Sequence, residues 1–193
     1  MTLGKEILEL SLHELKENYP SYEFMVHRDV AWSLQKILNR LIEKNGYPLE
    51  VYQDYPLEKG CKEYKENELV FVLPGTNYRE MFKSTSQVEL VVRILFEPSR
   101  HRRDICEYHL PRILVPRLMQ EMTQLKAIVE SNKAKEGILI LVDESSRHRK
   151  LILQNDCMKW ESWGTYDDSG LNVSTLIVQY GGESLVGDRN LSE

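Results

Sequence analysis

Two hydrophobic periods run along this chain, and the switch between them divides it. Leu8, Leu12, Leu15 and Tyr19 recur at i, i+4, i+7 and i+11, which lines one face of a helix over residues 3–18 that stops before Pro20. Val30, Leu34, Ile37 and Leu41 make a second helical stripe, widened by Trp32, Leu38 and Ile42. Asp29 stands where an N-cap belongs, and Asn45-Gly46 supplies the stop. The period then shortens. "PLEVYQDYPL" (48–57), "NELVFVLPG" (67–75) and "QVELVVRILFEP" (87–98) are rich in Val, Leu, Tyr and Phe between Pro, Gly and Asn, which predicts strands. Their short, charged linkers predict an antiparallel meander.

"HLPRIL" reads as extended, and Pro116 opens a helix through about Asn132 whose face is Leu118, Met122, Leu125 and Val129. "GILILVDES" (137–145) is a near-continuous apolar run after that helix, the mark of a strand buried on both faces. Further strands are expected at "KLILQ" (150–154), "CMKWESW" (157–163) and "NVSTLIVQY" (172–180), before a polar tail from Gly181 that is expected to fray.

With 193 residues, 41% hydrophobic and 28% charged, the composition is that of one globular domain with a sizeable core. The formal net charge of -5 moves any nucleic-acid contact onto a local basic patch. Cys61, Cys106 and Cys157 lie far apart without metal-ligand spacing, so neither a disulfide framework nor a structural zinc site is expected. The charged N-terminus does not read as a signal peptide, and no apolar run approaches the ~20 residues of a membrane span, so a cytoplasmic protein without a membrane partner is expected.

The stretch "VELVVRILFEPSRHRRD" (88–104) holds the chemical question. At a period of two, Leu90, Val92, Ile94 and Phe96 share an apolar face, while Glu89, Val91, Arg93, Leu95 and Glu97 share a mixed one. The mixed face is solvated, covered by a helix, or part of a polar cleft.

The element order helix, three strands, helix, buried strand, with "HRDVAWSLQKILNRL", "VYQDYPL", "ELVFVL" and "VELVVRILFEPSRHRRD", resembles the αβββαβ core of the PD-(D/E)XK, or restriction-endonuclease-like, nuclease superfamily over residues 27–145. The resemblance implies an α+β fold with a mixed sheet, to which residues 1–20 add a helix and 146–180 add strands, within a single domain ending in the tail 181–193. Such nucleases hold Mg or Mn between an acid on the second strand and a Glu-x-Lys on the third, and the metal activates water. Carried onto this chain, the acid positions fall on Glu68 and Arg93 and the lysine on Leu95. An arginine repels a divalent cation and a leucine offers no charge, so the resemblance implies a degenerate site that needs no cofactor.

Two readings stay open beside it. A rearranged metal site would draw its catalytic carboxylates from Glu68 and Glu89, with Glu97, Asp29 or Asp54 as helpers. Otherwise Arg93 pairs with Glu68 or Glu89, because a buried arginine needs an acid partner. Asp143 and Glu144, at the end of the buried strand, are metal candidates or ordinary strand-end caps.

The basic runs "RHRR" (100–103) and "SSRHRK" (145–150) each follow a core strand. If they meet in space, Arg100, Arg102, Arg103, Arg147, Arg149 and Lys150 form a nucleic-acid-binding patch; if not, they are solvated turns. The expected function is a binding or scaffold module on a nuclease-like fold. A divalent-metal nuclease with a rearranged site and a structural homodimer that ignores nucleic acid are its alternatives.

Overall fold

The computed structural model describes residues 2–53, 55, 57, 68–74, 88–100, 102, 112–165 and 172–182. Arg103, Asp54, Cys61, Cys106 and the tail beyond residue 182 lie outside the described residues.

Helix α1 (Leu3–Glu17) is capped by Thr2, whose side chain accepts from the Lys5 N–H. It buries Ile7, Leu8, Ser11 and Leu15. Helix α2 (His27–Asn45) ends on Gly46 at φ 63°, a left-handed conformation that suits glycine. Asp29 is not its N-cap, which is Val26. Asp29 lies three residues further in and accepts from the Met25 and Val26 N–H groups at 2.9 and 3.0 Å, the carboxylate half of a capping box. Trp32 is 56% exposed with Lys36 over its ring, so the apolar stripe of α2 is narrower than the sequence suggests.

Strands β1 (Glu50–Gln53), β2 (Glu68–Val72) and β3 (Val88–Glu97) form the expected antiparallel meander. Helix α3 (Val115–Glu130) then crosses over to β4 (Glu136–Asp143), which runs parallel to β3. A parallel neighbour needs such a crossover. Strands β5 (Met158–Thr165) and β6 (Asn172–Tyr180) extend the same sheet, giving the order β1-β2-β3-β4-β6-β5. The fold is α+β with a six-stranded mixed sheet.

Both sheet faces are covered, which is why β2, β3 and β4 are buried throughout. Leu69, Phe71, Leu90, Val92, Ile94, Ile138 and Ile140 pack with the α1 and α2 side. Val70, Val91, Leu95, Leu139 and Leu141 pack with Leu118, Met122 and Leu125 of α3. Each such side chain contributes roughly 1.5–3 kcal/mol by leaving water. Gly137 admits α3 closely: a Cβ there would meet Leu125 Cγ at 2.9 Å.

Two local expectations change. "KLILQ" is not a strand. A 3-10 turn spans His148–Lys150, Ile152 is buried, and Leu151 and Leu153 are exposed. In β3, strict alternation fails near its start, because the β2 register shifts between Phe71 and Val72. Val88 and Val91 therefore both face α3, three residues apart.

Candidate functional site

Glu68 and Arg93, the two positions onto which the resemblance carries its acids, form a closed ion-pair network. Glu68 and Arg93 are cross-strand partners on the α3 side of the sheet. Arg93 Nε donates to Glu68 Oε2 at 2.8 Å, with side-chain exposures of 2% and 6%. Its Nη1 reaches up to α3, donating to Glu121 Oε2 at 3.0 Å, to the Glu121 carbonyl at 3.2 Å and to Gln124 Oε1 at 3.3 Å. The mixed face of β3 is thus covered by a helix. Several charge-assisted bonds offset the desolvation of a buried guanidinium, and among the expected acid partners Glu68 is the one used.

Glu89 stands elsewhere. The bulge takes it off the face of Arg93, its Cβ lies against Gly4 of α1, and its carboxylate pairs with Lys135. Four residues of strand separate it from Arg93, roughly 13 Å. Glu68 and Glu89 do not converge, and Asp29 is occupied in capping α2. Leu95 is fully buried in the α3-side core. A divalent metal does not fit here, since the Glu68 carboxylate already faces a fixed guanidinium. Among the described residues, no group of three or more His, Cys, Asp and Glu side chains is placed to hold a metal ion.

A second polar cluster lies where the parallel strands β3 and β4 end, the end at which open α/β sheets commonly present ligands. Glu97 and Asp143 are register partners, both fully buried on the α3 side. Glu97 accepts from the Ile113 N–H at 2.6 Å and lies 3.5 Å from Arg147 Nη2. Asp143 accepts from the Ser145 N–H and hydroxyl and from the His148 N–H, and its Oδ2 is 3.2 Å from His148 Nδ1. That last contact is an ion pair rather than an aligned hydrogen bond. Burial pushes the Asp143 carboxyl up, but the His148 and Ser145 contacts outweigh it and hold it below the ordinary value. Burial pulls the His148 imidazole down, while Asp143, the Ile113 carbonyl and the Glu97 charge outweigh it and raise it.

Glu144 points to the other face. It accepts from Tyr19 Oη at 2.8 Å, from the Ser99 N–H at 2.9 Å, and from Arg102 Nε at 2.9 Å to both oxygens. Burial raises its carboxyl above the ordinary value, against the lowering by Ser99, Arg102 and Tyr19. Each carboxylate oxygen of Asp143 and Glu144 accepts from a protein donor, so the two are strand-end anchors.

The described residues of the basic runs reach the same end of the sheet, but they do not all lie at the surface. Arg102 is 1% exposed; its guanidinium holds Glu144 and donates to the Tyr22 carbonyl. It is a buried structural arginine, a correction to its reading as a phosphate ligand. Arg147 is half-committed, donating to the Ile113 carbonyl and lying beside Glu97. Arg100, Arg149 and Lys150 are exposed. Arg103 lies outside the described residues.

Compared with known proteins, the chain matches no family model, no curated protein and no solved structure. Among the described residues no helix is long and apolar enough to cross a membrane. The strand-end cluster was only partly legible beforehand. Asp143 and Glu144 stand out in sequence, but nothing local connects Glu144 to Tyr19, Ser99 or Arg102.

Proposed function

We propose that this chain is a non-catalytic binding module built on a restriction-endonuclease-like core, with an ion pair in place of the metal-dependent active site. One observation carries the reading: Arg93 Nε on Glu68 Oε2 at 2.8 Å beneath α3, both side chains nearly inaccessible. A metal-dependent nuclease needs an open carboxylate pair that water and a phosphodiester can reach. Here the one acid at the equivalent place is neutralised and covered.

The module's nucleic-acid contact runs through Arg100, Arg149 and Lys150, which stand exposed beyond the ends of β3 and β4. A second reading, self-association as a homodimer, is favoured by Leu114, Leu151 and Leu153, which are 61%, 60% and 89% exposed. They flank Ile113 and Ile152, which are buried in one cluster.

The deciding experiment incubates the protein with plasmid, linear DNA and RNA in Mg or Mn, beside an affinity measurement over a salt series and a solution mass. No cleavage by the wild type is the expected result. Cleavage that disappears in Glu68→Ala overturns the reading. A binding affinity independent of salt, and unchanged in Arg149→Glu/Lys150→Glu, removes the phosphate contact.

A further inference from the structure

On the α1 side of the sheet, α1 and α2 cover the strands up to β4, and a cleft of about 340 Å³ opens where α1 meets β6 and β5. Its volume is at the small end of the range for small-molecule sites. Part of the wall is apolar, with Leu8 and Leu12 from α1 and Trp163 of β5 and Ile177 of β6, while Glu9, His13, Lys16, Lys159 and Glu161 add polar and charged groups. Trp163 is fixed by an edge-to-face contact with Tyr19 at 5.5 Å.

Of the charged residues that line the cleft, Lys5 is the buried one. Lys5 also lines the cleft and is 8% exposed, yet its ammonium makes no ion pair among the described residues. Its Nζ donates once, to Gln179 Oε1 at 2.9 Å, and Gln179 is itself 4% exposed. The Gln179 amide is held in that orientation, because its Nε2 donates to the Gly181 carbonyl. An ammonium carries three donors, and a neutral amide oxygen compensates a buried cation poorly. Elsewhere in this protein the buried cations Arg93 and Arg102 each meet a carboxylate. Glu9, one helical turn along α1, is exposed and makes no pair with Lys5; Lys159 and Glu161 at the rim satisfy each other at 2.6 Å.

We propose that this cleft binds a small amphipathic monocarboxylate, with the carboxylate on Lys5 Nζ and the hydrocarbon part between Leu8, Leu12, Trp163 and Ile177. The ligand supplies the charge that the fold withholds from Lys5, and its chain covers the apolar part of the wall that α1 leaves open. The site lies on the opposite face of the sheet from Glu68 and Arg93 and stands independently of the nuclease-like reading.

The test titrates octanoate and its neutral counterpart 1-octanol into the full chain, following heat and tryptophan fluorescence. Expected are saturable octanoate binding, at least about tenfold weaker binding of octanol, and a similar loss of octanoate affinity in Lys5→Met. Leu12→Trp fills the cleft from a half-buried helix position and is expected to abolish binding without touching Lys5. The thermal midpoint of each variant separates misfolding from loss of the site. No saturable octanoate binding, equal affinity for octanol, or unchanged affinity in both folded variants overturns the proposal.

Discussion

Glu68 and Arg93 sit opposite one another on β2 and β3, and their side chains meet at 2.8 Å beneath helix α3. Glu121 and Gln124 of α3 close over the guanidinium from above. The pair therefore ties the meander to the crossover helix.

Removing one half of this pair leaves an uncompensated buried charge. Arg93→Ala is expected to cost roughly 3–5 kcal/mol in chemical denaturation, whereas Glu68→Leu/Arg93→Met should recover most of that loss. A single variant as stable as the wild type would show that the network adds little to the fold.

The strand-end cluster should give stability a defined pH profile. The folded pKa of His148 is raised, so its contribution is complete below the ordinary histidine value of about 6.5 and is lost as pH rises through the higher folded value. The folded pKa of Asp143 is lowered, so its contribution is complete above the ordinary carboxyl value and is lost as pH falls through the lower folded one. Unfolding midpoints measured from pH 2 to 9 should show both slopes, and His148→Gln should flatten the alkaline one.

Glu144 joins three elements through Tyr19, Ser99 and Arg102. Tyr19→Phe removes one hydrogen bond and is expected to cost about 1 kcal/mol. Arg102→Ala removes the buried cation and should cost several times more, measured by the same denaturation curves. Arg149→Ala, at an exposed position nearby, should change stability by less than about 0.5 kcal/mol.

Gly137 marks the closest approach of α3 to the sheet. A methyl group there would lie 2.9–3.0 Å from Leu125 and 3.0 Å from Val129 Cγ2. Gly137→Ala is expected to destabilise by roughly 1–3 kcal/mol through overpacking. Pairing it with Leu125→Ala should relieve part of that cost, which a double-mutant cycle would read.

The period of the apolar residues located the three long helices, the meander and the buried strand β4, because each signal is local and repeats over many residues. Short segments were less legible. "KLILQ" is a short apolar run like a strand, yet Asp143 accepts the His148 N–H at 2.8 Å where a 3-10 turn starts instead. That bond joins residues close in sequence, but its acceptor is held in a strand paired with the distant Glu97 and Ser174.

The sequence by itself determined that Arg93 and Leu95 share the mixed face of β3, and that a buried arginine would need an acid. Only the tertiary structure decided which acid. Strand register put Glu68 opposite Arg93, and one extra residue at the bulge turned Glu89 away toward Lys135. The α3 crossover then sealed the pair from solvent. Packing likewise divided the basic runs, drawing Arg102 inward to Glu144 while Arg149 and Lys150 stayed in water. The physical reason is common to all of these. Side-chain type and period are local properties, whereas the partner that neutralises a buried charge is fixed by non-local pairing across the sheet.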